Sequence, residues 1–387
     1  MEHRRIAAFI VVTLTGLGAL GCSLTPLQKL HAEKKDFIIE REWIKATFAE
    51  ESLDFRRLNR MKPVVTEKFV VAGNAIDQLV AYDRLTGKLI WSRFFQGGVE
   101  GGAQAIDNRL FFGSSDGFFY SLNLSTGTTE WTFPVRAEVL GEPLVQDNRV
   151  YFVSGNNILN ALDANSGQVA WTYNRMDPSQ ISVRGASRPV IIGPLIYSGF
   201  SDGSFVALNK EKGTLVWEQK LNQNKRFRDV DSTPVIEGDS IYVSSFDGAL
   251  YCLDKDKGNI RWKVDEGGYS PVTLNQNALY YGSTSGKMMA LDKASGKVLW
   301  SRPGIKGFAT ESVVYRGLLV FGESSGSLQV LDAATGNSVD RFDTGRGVTS
   351  SPYLDTKTGQ LYFMSANALL YRIRLGWNLR AKYWPWG

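Results

Sequence analysis

Apolar and polar residues alternate in short runs along most of the chain, and the runs come in pairs with a fixed turn between them. Quoted in order, the pairs are "LVAYDRLTGKLIW", "FYSLNLSTGTTEW", "LNALDANSGQVAW", "FVALNKEKGTLVW", "LYCLDKDKGNIRW", "MMALDKASGKVLW" and "LQVLDAATGNSVD". Each first run ends in Asp or Asn, and the turn closes on Gly87, Gly127, Gly167, Gly213, Gly258, Gly296 or Gly336. Four residues after the first six of these glycines stand Trp91, Trp131, Trp171, Trp217, Trp262 and Trp300; Asp340 replaces the seventh tryptophan. A two-residue period predicts strands, and a turn ending in a glycine that tolerates positive φ predicts a β-hairpin. Two further short runs precede each hairpin, as in "GEPLVQDNRVYFVSG" and "STPVIEGDSIYVSSFDG". Each unit therefore holds four short strands. Four-stranded repeats of about 40 residues predict propeller blades, with the tryptophan filling the gap between neighbours. A parallel solenoid is the rival architecture, but its coils are shorter and lack this turn.

The two ends of the pattern set the blade count. After Asp340, residues 348–375 supply three strands and no Gly-x-x-x-Trp hairpin, while "REWIKATF" (41–48) supplies a lone strand carrying Trp43. Pairing these fragments predicts an all-β, eight-bladed propeller over residues 41–375, its ring closed by the N-terminal strand. Closure removes the open edge between the first and last blades.

Composition adds the address and removes several functions. "MEHRR" followed by the apolar run 6–20 reads as a signal segment over 1–21, too short to span a bilayer. It ends at Cys22, in a setting that resembles the lipobox of bacterial lipoproteins, although Ala19 and Leu20 occupy positions where that pattern has Leu and a small residue. Cys22 is thus the expected lipid anchor, residues 22–40 a polar tether, and Ser23 beside it favours the outer membrane. The other cysteine, Cys252, reads as a small buried apolar residue. The segment 376–387, "GWNLRAKYWPWG", either packs on the last blade or serves as a partner or membrane-interface element. The charge of +5 comes from scattered Lys and Arg, which argues against a nucleic-acid surface. Only His3 and His31 are present, both upstream of the ring, so the ring holds no histidine for a Ser-His-Asp triad or a zinc site.

The rhythm breaks in one place. Successive repeat glycines lie 40, 40, 46, 45, 38 and 40 residues apart, and the two long intervals are consecutive. The extra residues fall in the connections 174–187 and 222–232, which a propeller places side by side on one face. Elongated loops on one face often form a binding surface, although loops also accept insertions without function. Ile181 and Val183 alternate with Ser182 and can present two apolar anchors beside Arg184. Asp229 and Asp231 on the neighbouring connection can hold that guanidinium in a bidentate pair, either aimed at a partner or bracing the loops.

"ISVRGASRP" and "RFRDVDSTPVI" also carry a family resemblance. The chain after its signal resembles the BamB family, propeller lipoproteins of the outer-membrane β-barrel assembly machinery, which have Leu-x-Leu-Arg-Gly and Asp-Val-Asp-x-Thr-Pro in the same blades. Here Ile181 and Val183 stand in place of the leucines. The resemblance implies a non-enzymatic, cofactor-free scaffold on the periplasmic side of the outer membrane. It implies docking through Ile181, Val183, Arg184, Asp229 and Asp231 to the POTRA domains of a BamA-type barrel subunit, with unfolded outer-membrane protein clients as a second class of partner. The enzymatic alternative is a quinoprotein (PQQ-binding) dehydrogenase, whose repeat is similar. That class carries a vicinal cysteine pair, a carboxylate-rich calcium site and long inserts, and this chain has no adjacent cysteines. A third class, ligand or peptidoglycan binding in the central channel, is neither favoured nor opposed by the residues.

Overall fold

The repeat hairpins close by one local mechanism. In the first, Asp83 Oδ1 accepts hydrogen bonds from Thr86 N at 2.8 Å and Thr86 Oγ1 at 2.7 Å, while Gly87 N donates to Asp83 O at 2.9 Å. The same Asp-to-Ser/Thr clasp recurs at Asp163, Asp292 and Asp332. All seven repeat glycines adopt φ between +66° and +73°, the left-handed region that a side chain disfavours.

In the computed structural model, residues 37–48, 59–175, 187–222 and 227–377 are described, all within the compact unit that begins at Phe37. They form eight four-stranded antiparallel sheets. In blades 1 to 7 the strands follow one another in sequence, here called a to d from the channel outward; blade 1, for example, contains Val64–Val65, Phe69–Gly73, Gln78–Asp83 and Leu89–Phe94. Blade 8 combines Tyr353–Asp355, Gln360–Met364 and Leu369–Trp377 with the N-terminal strand Phe37–Ala46 as its outer member. The eight-bladed, terminally closed ring is the architecture that the repeat predicts.

Eight apolar clusters hold the ring, one between each pair of adjacent blades. At six interfaces the tryptophan of one blade lies against the turn glycine of the next. A methyl group at Gly127, Gly167, Gly213, Gly258, Gly296 or Gly336 would come within 2.5–2.7 Å of the preceding indole. Each of these indoles donates its Nε1 hydrogen to a backbone carbonyl three residues before that glycine, as Trp91 does to Leu124 O at 2.8 Å and Trp300 to Ala333 O at 3.1 Å. The glycine is therefore fixed twice, by its φ and by the ring that covers it.

This contact also explains Asp340. An indole there would need a turn between strands c and d of blade 8, but those strands are contributed by opposite ends of the chain and no such turn exists. Phe342, Phe363 and Tyr371 fill this interface instead, with Phe363 and Tyr371 stacked at 5.1 Å.

At the closing interface Trp43 packs near Gly87 and between Tyr82 and Tyr362. Among the described residues its Nε1 finds no acceptor. Arg372, 5% exposed, takes over the bond: its Nη1 donates to Arg84 O at 2.5 Å and Leu85 O at 2.8 Å, and its Nε pairs with Glu42 at 2.5 Å.

The closing strand begins at Phe37 and not at residue 41, which moves the start of the ring into the expected tether. Phe37 and Ile39 turn toward the cluster containing Tyr315 and Leu375, and burying them makes four more residues worth ordering. Strand c of this blade likewise runs on through Gly376 and Trp377. The two strands thus form a ribbon that extends past the rest of the blade, with Phe37 paired to Trp377.

Candidate functional site

Connections from each strand d to the next strand a emerge on one face together with the b–c turns. The two long connections lie there, at the exits of blades 3 and 4. Their ends are held rigidly. Strand Val169–Asn174 delivers Arg175, whose guanidinium bridges to blade 4 through Asp202 at 2.7 Å and through both oxygens of Glu218 at 2.9 Å. Burial pushes the Asp202 carboxyl up, but hydrogen bonds from Ser204 and Arg175 outweigh it and hold the group below its ordinary value. Burial opposes the charge on Arg175 as well, and its carboxylate and Tyr173 partners leave its pKa raised.

At the other end the two connections are stitched to each other. Ser187 Oγ donates to Ser232 O at 3.3 Å, and Arg188 N donates to Thr233 Oγ1 at 3.2 Å. Arg188 also pairs with Glu142 at 3.1 Å, tying both connections to the one before them.

The five expected docking residues divide into two groups. Ile181, Val183 and Arg184 lie outside the described residues, as does Cys22. Asp229 and Asp231 are placed, and they differ. Asp229 is fully buried, with its carbonyl accepting from Phe246 N at 3.0 Å, while the next residue, Val230, donates its N–H to Phe200 O at 3.1 Å. A methyl group at Gly199 would collide with Val230 O, so this segment threads tightly between blades 4 and 5. Asp231 is half-buried and stands between two hollows. One of about 240 Å³ includes Ser187, Asn157 and Phe200; the other, about 210 Å³, is the mouth of the central channel.

Ion pairs surround that mouth: Lys62 with Glu311 at 2.9 Å and Arg60 with Glu100 at 3.5 Å. Burial raises the Glu142 carboxyl, against the pull of Arg188 and Lys62. Among the described residues no group of three metal-capable side chains occurs. Cys252 is buried on strand c of blade 5, and burial raises its thiol.

An aromatic ridge beside the long connections was not legible as a site in the sequence. Phe227, Phe246, Tyr269 and Phe308 run from the second long connection to the blade 6–7 connection, with centroid separations of 5.7–6.4 Å. Phe227 is 41% and Phe308 42% exposed, and Phe227 holds φ at +54°. Arg60 lies 5.4 Å over the Tyr269 ring. The only local signal is an aromatic residue at the turn or connection positions of "SSFDG", "EGGYS" and "IKGFA". Exposed apolar rings next to a polar rim are the composition of an interface core.

The comparisons agree with this architecture. A family model described as outer membrane protein assembly factor BamB matches residues 43–134 and 75–302. Outer membrane protein assembly factor BamB of Salmonella typhimurium is 36% identical over 191 residues, covering 45% of this chain and 48% of its own. The Kangiella koreensis protein of the same name is 32% identical over 237 residues, covering 60% of each. The chain thus spans about half to three-fifths of the length of these curated relatives. The crystal structure of BamB from Moraxella catarrhalis superposes with TM-score 0.76 at 20% identity, over 87% of this chain and all of that one. Quinohemoprotein alcohol dehydrogenase from Pseudomonas putida HK5 gives 0.73 at 14% identity, covering 87% of this chain and 76% of that one. At these identities both superpositions speak to the fold alone.

Proposed function

Because the chain belongs to the BamB family of outer membrane protein assembly factors, we propose that it is a non-enzymatic scaffold lipoprotein of the outer-membrane β-barrel assembly machinery. Anchored through Cys22 at the outer membrane and facing the periplasm, it docks the POTRA domains of a BamA-type subunit and so assists insertion of barrel proteins. The docking platform is the pair of long connections, with Ile181, Val183 and Arg184 from the first and Asp231 from the second. Asp229 acts indirectly, as the buried residue that seats the second connection.

The observation that carries this reading is the stitching of the two connections, Ser187 to Ser232 and Arg188 to Thr233. Rigidly held loop ends lower the ordering cost of binding, which is how preorganised surfaces gain affinity. The aromatic ridge extends the same face and offers the flat rings that interface hot spots favour. The test is co-purification: the full chain, isolated from gently solubilised outer membranes, should bring the barrel subunit with it. Recovery of the chain alone, with the barrel subunit intact elsewhere in the same membranes, contradicts the proposal.

A further inference from the structure

Phe227, Phe246 and Phe308 follow one another on the docking face at centroid steps of 6.2 and 6.3 Å, and Tyr269 packs beside the last two at 6.4 and 5.7 Å. Phe246, Tyr269 and Phe308 also line the hollow of about 210 Å³ at the channel mouth. The two outer rings, on Phe227 and Phe308, are the most exposed of the four. At Phe227 the backbone stands at φ +54°, a region that bulky side chains disfavour and that Gly or Asn fills more readily. The turn therefore does not call for a phenylalanine, and what the position adds is a ring held toward solvent. Residues within two of the ridge carry both signs of charge, Arg228 and Lys306 against Asp247.

We propose that this ridge binds an extended, unfolded segment in which apolar side chains alternate with polar ones, the pattern of a membrane-barrel strand before insertion. Side chains on one face of an extended chain recur every second residue, about 6.4–6.8 Å apart. The ring steps of 6.2 and 6.3 Å are close to that repeat, so three successive same-face side chains can each meet a ring. Aromatic pairs gain from such contacts in offset or edge-to-face geometry. The hollow beside the ridge admits single side chains, whereas the surface of a folded domain is too broad to enter it. Mixed charge along the ridge demands no particular sequence beyond the alternation, which suits a site that receives many different clients. Phe227 stands two residues before Asp229, so a segment held here lies beside whatever occupies the long connections. The inference rests on the barrel-assembly reading for the identity of the client, but the chemistry of the ridge is testable apart from it.

The mature chain from residue 22 onward, with Cys22→Ser so that no acyl chain is added, is titrated against a labelled peptide and read by fluorescence anisotropy. The peptide has about ten residues, with Phe or Leu at every second position among Ser and Thr. A control of the same composition places its apolar residues at every third position, so that an extended chain turns them to both faces. The parent should bind the alternating peptide and bind the control at least about tenfold more weakly. Phe227→Asn and Phe308→Ser should each weaken binding, and together by at least about tenfold, with POTRA binding unchanged. Because Asn tolerates positive φ, Phe227→Asn should melt at or above the parent temperature. A parent that does not bind the peptide, variants that bind it equally well, or a control that binds as tightly overturns the proposal. So does binding of peptidoglycan fragments in the peptide's place, lost in the same variants. A lower melting temperature in Phe227→Asn would assign the ring to packing, and weaker POTRA binding in either variant would assign the ridge to the docking platform; both overturn it too. Absence of POTRA binding by the parent, with peptide binding intact, would instead refute the docking function and leave this inference standing.

Discussion

Arg372→Ala should open the ring at its seam. The side chain is almost fully enclosed, and it satisfies two backbone carbonyls of blade 1 while pairing with Glu42 of the N-terminal strand. Hydrogen bonds to a charged donor contribute about 1.5–3 kcal/mol each, and losing one partner of a buried pair typically costs about 3–5 kcal/mol. The terms overlap, so the expected loss is about 3–5 kcal/mol. Lys263→Ala is the control, since Lys263 and Asp265 form an ion pair with side chains 55% and 81% exposed. Solvent and salt screen pairs of that kind, so its loss should leave stability nearly unchanged. Urea unfolding at constant m-value measures both, and hydrogen exchange should show the amides of Phe37–Ala46 opening first in the Arg372 variant. Equal midpoints for the two variants would refute the argument that this guanidinium closes the ring.

Three further outcomes follow from the same contacts. Gly167→Ala places a methyl group 2.7 Å from the Trp131 indole at φ +71°, and thermal melts should show a loss of about 2–4 kcal/mol. The carboxyl of Asp202 is held below its ordinary value in the fold, so its contribution is complete above about pH 4 and is lost as pH falls through the lower folded value. Acid unfolding should therefore flatten in Asp202→Asn. Cys22→Ala should abolish incorporation of a fatty-acid analogue, and label retained in that variant would remove Cys22 as the anchor.

The repeating features were legible because each rests on local chemistry. An Asp or Asn, a glycine four residues on and, in six of the seven repeats, a tryptophan four later mark each hairpin, and the recurrence gives the blade count. The seam is different. Arg372 meets Arg84 and Glu42 across almost the whole chain, and nothing in "LLYRIRL" distinguishes a ring-closing arginine from an exposed one. The meaning of Asp340 likewise needs the topology, since it reflects a turn that the next blade lacks. In "RFRDVDSTP" the alternation puts Asp229 and Asp231 on one side of an extended segment, but the close approach at Gly199 buries the first and leaves the second at the channel mouth. The aromatic ridge was hidden for a similar reason, because its members come from separate connections that only the curvature of the ring gathers.

The paired long connections should bind a partner rather than brace the fold. A double-mutant cycle on Arg184→Ala and Asp231→Ala, read as affinity for purified POTRA domains with melts alongside, separates these roles. Arg184→Ala should lose about 2 kcal/mol or more of affinity and Asp231→Ala less, with non-additive effects in the double variant and unchanged melting temperatures. Undiminished binding by the Arg184 variant, or a binding loss matched by a collapse in stability, would contradict the docking role.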